Sequence, residues 1–184
     1  HILGSTIDPV ISRAECDSTL ITLGTEGTPG EGDVLVLAGE GPHAPIAARR
    51  ASEYVAAADQ ASTMTMLNVQ RPADADGADD QTPAERGAAL IEDVAERAGI
   101  PREDFESRVE VTDGDSVVDV ILGVAEEYDT VCVGATRSSA VSQALFGSLP
   151  ETIGENVDGT VVIARGPERS PISLREAIVR QLEV

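Results

Sequence analysis

The sequence contains no lysine and no tryptophan, and its aromatic side chains are limited to two tyrosines and two phenylalanines. With so few rings, the core has to be built from valine, isoleucine, leucine and alanine, which favours a buried sheet covered by alanine-rich helices. No apolar run approaches the roughly 18 residues of a membrane-spanning helix, so this chain is not expected to insert into a membrane. Its 184 residues are enough to bury a sizeable core.

Cysteine and histidine are equally scarce, with two of each. Cys132 lies in an apolar run far from Cys16, which indicates free thiols in a reducing cytoplasm. His1 and His43 are too far apart for a zinc site, and neither CxxC nor HExxH occurs. His43 could face the pocket, but a lone histidine in a loop is expected to be solvated. Ser138, Ser139 and Ser142 have no histidine near them in the sequence. We therefore expect no metal and no catalytic activity.

Positive charge is the next deficit, because 13 arginines face 33 acidic residues for a formal net charge of −20. Such a chain repels DNA, RNA and anionic lipid surfaces, so nucleic acid is not an expected partner. The excess acid predicts a solvated, halophilic surface whose self-repulsion is screened by a salt-rich cytoplasm. A cation-binding acidic face is the alternative, although no clustered ligand pattern supports it.

Apolar patterning alternates between strands and helices from residue 33 onward. Short β-branched runs predict strands, and apolar residues three and four apart predict helices. The expected strands span residues 33–38, 63–69, 107–111, 130–133 and 160–164. One helix is expected from about 44 to 58, a second starts at Pro83 and is ended by Gly99, and a third is capped by Asp115 or Ser116 and has an apolar face from Val117 to Ala125. A fourth helix is opened by Gly147 and Ser148. The helix at 83–98 has the clearest start, since Thr82, Pro83 and Glu85 match a capping box with proline at the first helical position.

Strands and helices in this alternation pair in parallel through right-handed crossovers. The predicted fold is therefore α/β, a three-layer sandwich with a five-stranded parallel sheet. Ligands on such sheets bind beyond the carboxyl ends of the strands. Gly134 ends an apolar strand at that edge, and Gly147 with Ser148 opens the next helix. Backbone N–H groups in such a loop can hold phosphate, which makes nucleotide binding the leading hypothesis.

The first 24 residues lie outside this alternation but repeat part of it. Gly4 and the apolar strand around Leu20 recur, at the same spacing, as Gly147 and the strand around Ile163. We interpret residues 1–24 as the end of a preceding module, 25–32 as a linker, 33–166 as the main module and 167–184 as a helical tail. The chain would then belong to a longer tandem protein. The tail carries an apolar stripe that either packs on its own domain or binds a partner.

Residues 33–166 resemble the universal stress protein family, whose fold is of the adenine-nucleotide alpha hydrolase-like type. Its nucleotide-binding members carry Gly-x2-Gly-x9-Gly-Ser/Thr after the fourth strand. Here Gly134, Arg137, Gly147 and Ser148 keep the spacing, with arginine replacing the second glycine. The resemblance implies a site for ATP or AMP at these residues.

The resemblance extends to the other half of the site. Family members place an aspartate at the end of the first strand, where it contacts ribose, and this chain has Gly39 there. Val69 matches the position whose backbone meets adenine. The resemblance therefore implies a retained edge for the base and a missing ribose anchor. Asp129, ahead of the fourth strand, matches an aspartate expected to be structural.

Two motifs leave alternatives open. The guanidinium of Arg137 could bind phosphate bidentately, or its Cβ could hinder phosphate while the side chain points to solvent. Ser148 could cap the next helix with or without a ligand. The chain is thus either a nucleotide sensor or an interaction module with a degenerate pocket.

Family members dimerise by pairing their last strands edge to edge. The resemblance implies association through the strand from Thr160 to Ala164, either in a homodimer or with residues 18–23 of the preceding module in the same chain. Domains of this family also occur as soluble tails of membrane transporters, so an attached transporter is a further expectation. In each context the domain is expected to be cytoplasmic and regulatory.

Overall fold

The computed structural model describes residues 16–24, 29–30, 32–58, 61–72, 81–114, 116–134 and 159–166. Within them the elements are β1 Ser18–Thr22, β2 Asp33–Leu37, α1 Ala44–Ala57, β3 Thr63–Gln70, α2 Pro83–Ala98, a 3-10 turn Arg102–Asp104, β4 Glu106–Val111, α3 Val117–Ala125, β5 Thr130–Gly134 and β6 Thr160–Arg165. The five strands expected after residue 32 are confirmed to within one residue at each end, and three of the expected helices are confirmed. The expected fourth helix and the tail at 167–184 lie outside the described residues.

The described strands form one sheet in the order β1-β6-β5-β2-β3-β4. Strands β2 to β6 pair in parallel, as predicted for an α/β sandwich. The predicted total of five strands is one too low, because β1 joins the outer edge of β6 in antiparallel orientation. Pairing of residues 18–23 with the last strand in the same chain is one of the two alternatives that the sequence leaves open, but this strand is not counted in the predicted sheet.

The contact between β1 and β6 covers the full length of β1. Ser18 pairs with Arg165 at one end and Thr22 with Val161 at the other. Asp17, just before β1, lies 3.9 Å from the guanidinium of Arg50 on α1. The edge of β6, where the sequence predicts association, is therefore occupied by a strand of the same chain.

The described helices cover both faces of the sheet. One apolar cluster lies between the sheet and the helices α1 and α2, and includes Val34, Val36, Met66, Ile91, Val94 and Cys132. A second cluster lies under α3 and includes Leu35, Leu37, Leu67, Ile121, Val131 and Val133. Consecutive strand residues thus enter opposite layers, as expected of strands buried on both sides.

Helix α2 begins and ends as its sequence predicts. The N–H of Glu85 donates to the hydroxyl of Thr82 at 3.2 Å, and the N–H of Thr82 donates to the carboxylate of Glu85 at 2.8 Å. Gly99 ends the helix in the left-handed region, at φ +75. The capping box is confirmed.

Side-chain hydrogen bonds tie the amino ends of the strands together. The carboxylate of Asp129 accepts from the N–H of Asp33 at 2.9 Å, and the N–H of Asp129 donates to the carbonyl of Asp33 at 3.0 Å. The hydroxyl of Thr63 donates to the carboxylate of Asp33 at 2.5 Å. The structural role predicted for Asp129 is confirmed, because its carboxylate links the starts of β2 and β5.

Candidate functional site

The carboxyl edge of the sheet changes direction between β2 and β5. The chain runs outward from β2 to β3 and β4, and then returns to the other side of β2 to form β5. The strand order therefore reverses at β2 and β5, and doubly wound sheets bind ligands at the carboxyl ends of the strands at such a reversal. This point lies at the ends of β2 and β5.

Three of the six predicted site residues are neighbours along this edge. The register places Leu37 of β2 opposite Leu67 of β3 and Val133 of β5. Gly39, Val69 and Gly134 follow these positions by one or two residues, so they lie side by side. Arg137, Gly147 and Ser148 lie outside the described residues. The structure thus describes the half of the site expected to meet the base and the ribose.

Gly134 is packed against the start of α1. A Cβ at this position would lie 2.5 Å from the carbonyl carbon of His43 and 2.6 Å from the nitrogen of Ala44. Neither backbone atom can move without displacing the helix. Glycine is therefore required here for the packing of strand against helix, whether or not a phosphate comes close.

The first turn of α1 offers no free donor to a ligand. The N–H of Ala44 donates to the carbonyl of Gly41 at 3.2 Å, and Pro45 has no N–H. The N–H groups of Ile46 and Ala47 both donate to the carbonyl of His43 at 3.1 Å. A phosphate at this edge consequently needs donors from another segment.

His43 is not solvated, contrary to expectation. Only 8% of its surface is exposed, and its Nδ1 accepts a hydrogen bond from the N–H of Gly166 at 3.2 Å. The ring thereby joins the start of α1 to the end of β6. The expectation was wrong because a loop position in the sequence does not reveal that the loop is covered by the last strand.

Asn68 belongs to this edge and was missed by the sequence interpretation. It is 6% exposed, and its Nδ2 donates to the carbonyl of Ala38 at 2.7 Å while its Oδ1 accepts from Nε2 of Gln70 at 2.7 Å. A usable signal existed, since Asn68 continues the face of β3 that Met64 and Met66 bury. A polar residue on such a face needs a buried hydrogen-bond partner.

Gly39 lies beside the hydrogen bond between Asn68 and Ala38, and the place that its side chain would take is open among the described residues. No described atom lies within 4 Å of a Cβ placed at this position. Its backbone is not in the left-handed region, so a side chain would fit without strain. The absence of the carboxylate expected from the family is thus not enforced by packing.

The thiol of Cys132 lies in β5, the strand that ends at Gly134. Burial raises the pKa of the Cys132 thiol to about 12, so the thiol stays protonated near neutral pH. Among the described residues, no group of three histidine, cysteine or acidic side chains is placed to hold a metal ion. No helix in the described part of the chain is both long and apolar enough to cross a membrane.

Several solved structures are similar to this chain. A universal stress protein from Archaeoglobus fulgidus DSM 4304 is 18% identical with a TM-score of 0.53, and the alignment covers 90% of this chain and 55% of that one. A universal stress protein in complex with cAMP is 23% identical with a TM-score of 0.48, covering 72% of this chain and 95% of that one. Another universal stress protein from Archaeoglobus fulgidus is 16% identical with a TM-score of 0.49, and the alignment covers 72% of this chain and 97% of that one.

The sequence itself carries the family assignment. A search of curated proteins finds no relative. Residues 32–165, well over half of the chain, match the model of the universal stress protein family, and these residues coincide with the module from β2 to β6. The chain therefore belongs to the universal stress protein family.

Proposed function

We propose that this chain is a cytoplasmic, non-catalytic regulatory domain that binds an adenine nucleotide, ATP or AMP, at the carboxyl edge of its sheet. The observation that carries the proposal is the row of Gly134, Gly39 and Val69 at the point where the strand order reverses. This is where a doubly wound sheet has room for a ligand. The phosphates would lie over Gly147 and Ser148.

The base is assigned to the end of β3. The side chain of Val69 packs against the apolar cluster under α3, which leaves its backbone to meet a ligand at the edge. The side chain of Asn68 faces the opposite layer. An adenine would lie here between the backbone of Val69 and the uncharged ends of β2 and β5.

A regulatory role is favoured over catalysis because the reactive groups near the site have other functions. The Nδ1 of His43 accepts a hydrogen bond from Gly166, and Cys132 is a buried, protonated thiol. Neither is placed as a general base or nucleophile for a bound nucleotide.

Calorimetric titration of the full chain with ATP and AMP in molar KCl tests the proposal, and cAMP completes the set of ligands. We expect saturable heat for at least one adenine nucleotide. Gly147→Val should abolish it by filling the phosphate cradle, whereas Gly123→Ala on α3, where no described atom lies within 4 Å of the new Cβ, should not change it. No heat at millimolar nucleotide, with circular dichroism showing a folded chain, would reject nucleotide binding.

Arg137 has its own test once binding is seen. If its Cβ hinders the phosphate, Arg137→Gly strengthens binding. If its guanidinium contacts the phosphate, the same change weakens binding. The two results separate the interpretations that the sequence leaves open.

An interaction module with a degenerate pocket is the second candidate function. Two observations favour it: Gly39 provides no ribose anchor, and Gly134 has a packing role that requires no ligand. This candidate predicts that ATP, AMP and cAMP all fail to bind while the pairing of β1 with β6 persists.

We also propose that β1 is the last strand of a preceding module. Its antiparallel pairing with β6 supports this assignment. So does the alignment with the longer Archaeoglobus fulgidus chain, which covers 90% of this sequence against 72% for module-sized structures. Removing residues 1–24 should expose the edge of β6 and convert a monomer into a dimer in sedimentation equilibrium. A truncated chain that stays monomeric would contradict the assignment.

A further inference from the structure

The peptide between Ala38 and Gly39 is held in one orientation by Asn68. The carbonyl of Ala38 accepts from Nδ2 of Asn68 at 2.7 Å, and the N–H of Ala38 donates to the carbonyl of Leu67 at 2.8 Å. Both polar groups of Ala38 therefore face β3. Because the described peptide bonds are all trans, the N–H of Gly39 points to the opposite side, towards the end of β5.

This N–H is a donor at the edge of the crevice. No hydrogen bond joins it to another described residue. Gly134 lies beside it on β5, and no described atom occupies the place of a side chain at position 39. The described residues that end β2, β3 and β5 here carry no charge, and Glu40, the next residue in the chain, is exposed. The crevice thus has an uncharged floor with a fixed N–H donor.

A backbone N–H and a carboxylate at the ribose position favour different ligands. A carboxylate accepts hydrogen bonds from free ribose hydroxyls and repels a phosphate on them, as in dinucleotide-binding folds, where an acidic residue favours the unphosphorylated ribose. A backbone N–H donates to a phosphate oxygen in a charge-assisted hydrogen bond. The missing side chain at position 39 also leaves the room that a phosphate needs.

We propose that the site prefers an adenine nucleotide whose ribose carries a phosphate on its 2′ or 3′ oxygen over one with a free ribose. This inference rests on the proposed nucleotide function and defines its ligand class. The N–H of Gly39 donates to the ribose phosphate, and Asn68 acts as the positioning residue that fixes this N–H.

The test compares ligands on the full chain by calorimetry at constant ionic strength in molar KCl. We expect adenosine 3′,5′-bisphosphate or adenosine 2′,5′-bisphosphate to bind about tenfold more tightly than AMP. ADP is the matched control, since its second phosphate lies at the 5′ end. If AMP binds as tightly as both bisphosphates, or if ADP gains as much as they do, the inference fails while nucleotide binding stands. If no nucleotide binds, both fail.

Gly39→Asp tests the inference independently, because it should reverse the preference between the bisphosphates and AMP. The new carboxylate should strengthen AMP binding and weaken bisphosphate binding, so that the preference ratio falls by about tenfold or more. Gly39→Asn has the same size without charge and should lose less of the preference. Gly123→Ala should leave the ratio unchanged. Thermal melting shows that each variant is folded. An unchanged ratio in Gly39→Asp would overturn the inference.

Discussion

The two ends of the parallel strands are built differently. At the amino end, hydroxyl and carboxylate side chains link neighbouring segments: Thr130 accepts from the N–H of Gly30, and Thr160 accepts from the N–H of Gly24, each at 3.3 Å. At the carboxyl end, β5 ends in Gly134, and β2 and β6 are followed by Gly39 and Gly166. Hydroxyl and carboxylate side chains link the segments at the amino end, whereas the carboxyl end combines these glycines with the buried side chains of Asn68 and His43.

The three glycines at the carboxyl end do not have the same reason to be glycine. A Cβ at Gly134 would collide with the backbone at the start of α1, and one at Gly166 would collide with the side chain of Ile46. Gly39 meets no described atom. Only Gly134 meets rigid backbone, because the atom near Gly166 is the terminal methyl of Ile46, which can move; of the three, Gly39 alone meets no described atom. A glycine near a ligand edge has to be tested for packing before it is assigned to a ligand.

The largest expected effect separates Gly134 from Gly39. Gly134→Ala should lower the free energy of unfolding by about 2 to 3 kcal/mol, because the new methyl overpacks against rigid backbone. Gly39→Ala should leave it unchanged or raise it by up to about 1 kcal/mol, because alanine restricts only the unfolded chain. Guanidinium unfolding in molar KCl measures both. Equal losses in the two variants would contradict the distinction.

The next effect tests the amino end. Asp129→Ala should cost about 1.5 kcal/mol of stability, because the N–H of Asp33 loses its carboxylate acceptor. Asp129→Asn should cost less, since an amide oxygen still accepts. The control is Asp113→Ala, which removes the same charge from an exposed position. If both alanine variants behave alike in chemical unfolding, the carboxylate of Asp129 contributes only charge.

A smaller effect compares the starts of α1 and α2, which follow β2 and β3. Of these two helices, α2 has a side-chain cap and α1 has none. Thr82→Ala should therefore lower the free energy of unfolding by about 1 kcal/mol, while Gln81→Ala beside it should leave it nearly unchanged. Hydrogen bonds from Thr82, the backbone N–H first and then the hydroxyl, hold the pKa of Glu85 below its usual value. This contribution to stability is present above the pKa of unfolded glutamate and is lost as pH falls through the lower folded pKa.

NMR titration of the Glu85 carboxyl checks the same contact directly. In Thr82→Ala the pKa of Glu85 should rise part of the way to its usual value, because the backbone N–H of residue 82 still donates. No change in that pKa would show that the hydroxyl contributes nothing.

The smallest effect concerns the middle of β5, between the two ends. Burial raises the pKa of Cys132 to about 12, whereas Cys16 is exposed. A thiol reagent at pH 8 should therefore modify one cysteine in the native chain and two in denaturant. Cys16→Ser should abolish the native reaction; a persisting reaction would mean that the strand opens readily.

Sequence patterns predicted the module because its elements are locally encoded. Apolar runs and helical spacing identified β2 to β6 and the three described helices, and the capping box at Thr82 and Glu85 fixed the start of α2. These signals act over a few residues, so no long-range information was needed.

The parts that were missed depend on contacts between residues far apart in sequence. The burial of His43 depends on Gly166, and the role of Asn68 depends on Ala38. The packing role of Gly134 depends on the peptide between His43 and Ala44. In each case a residue type visible in the sequence acquires its role only when the sheet brings a distant backbone group next to it.

The pairing of β1 with β6 also has a consequence for how the chain is made. Gly24 and its partner Thr160 are 136 residues apart, so β1 leaves the ribosome long before β6 exists. At about 5 to 20 residues per second, β1 waits on the order of ten seconds for its partner. Serine and threonine occupy three of its five positions. This polar composition makes an unpaired strand less prone to aggregate during that interval.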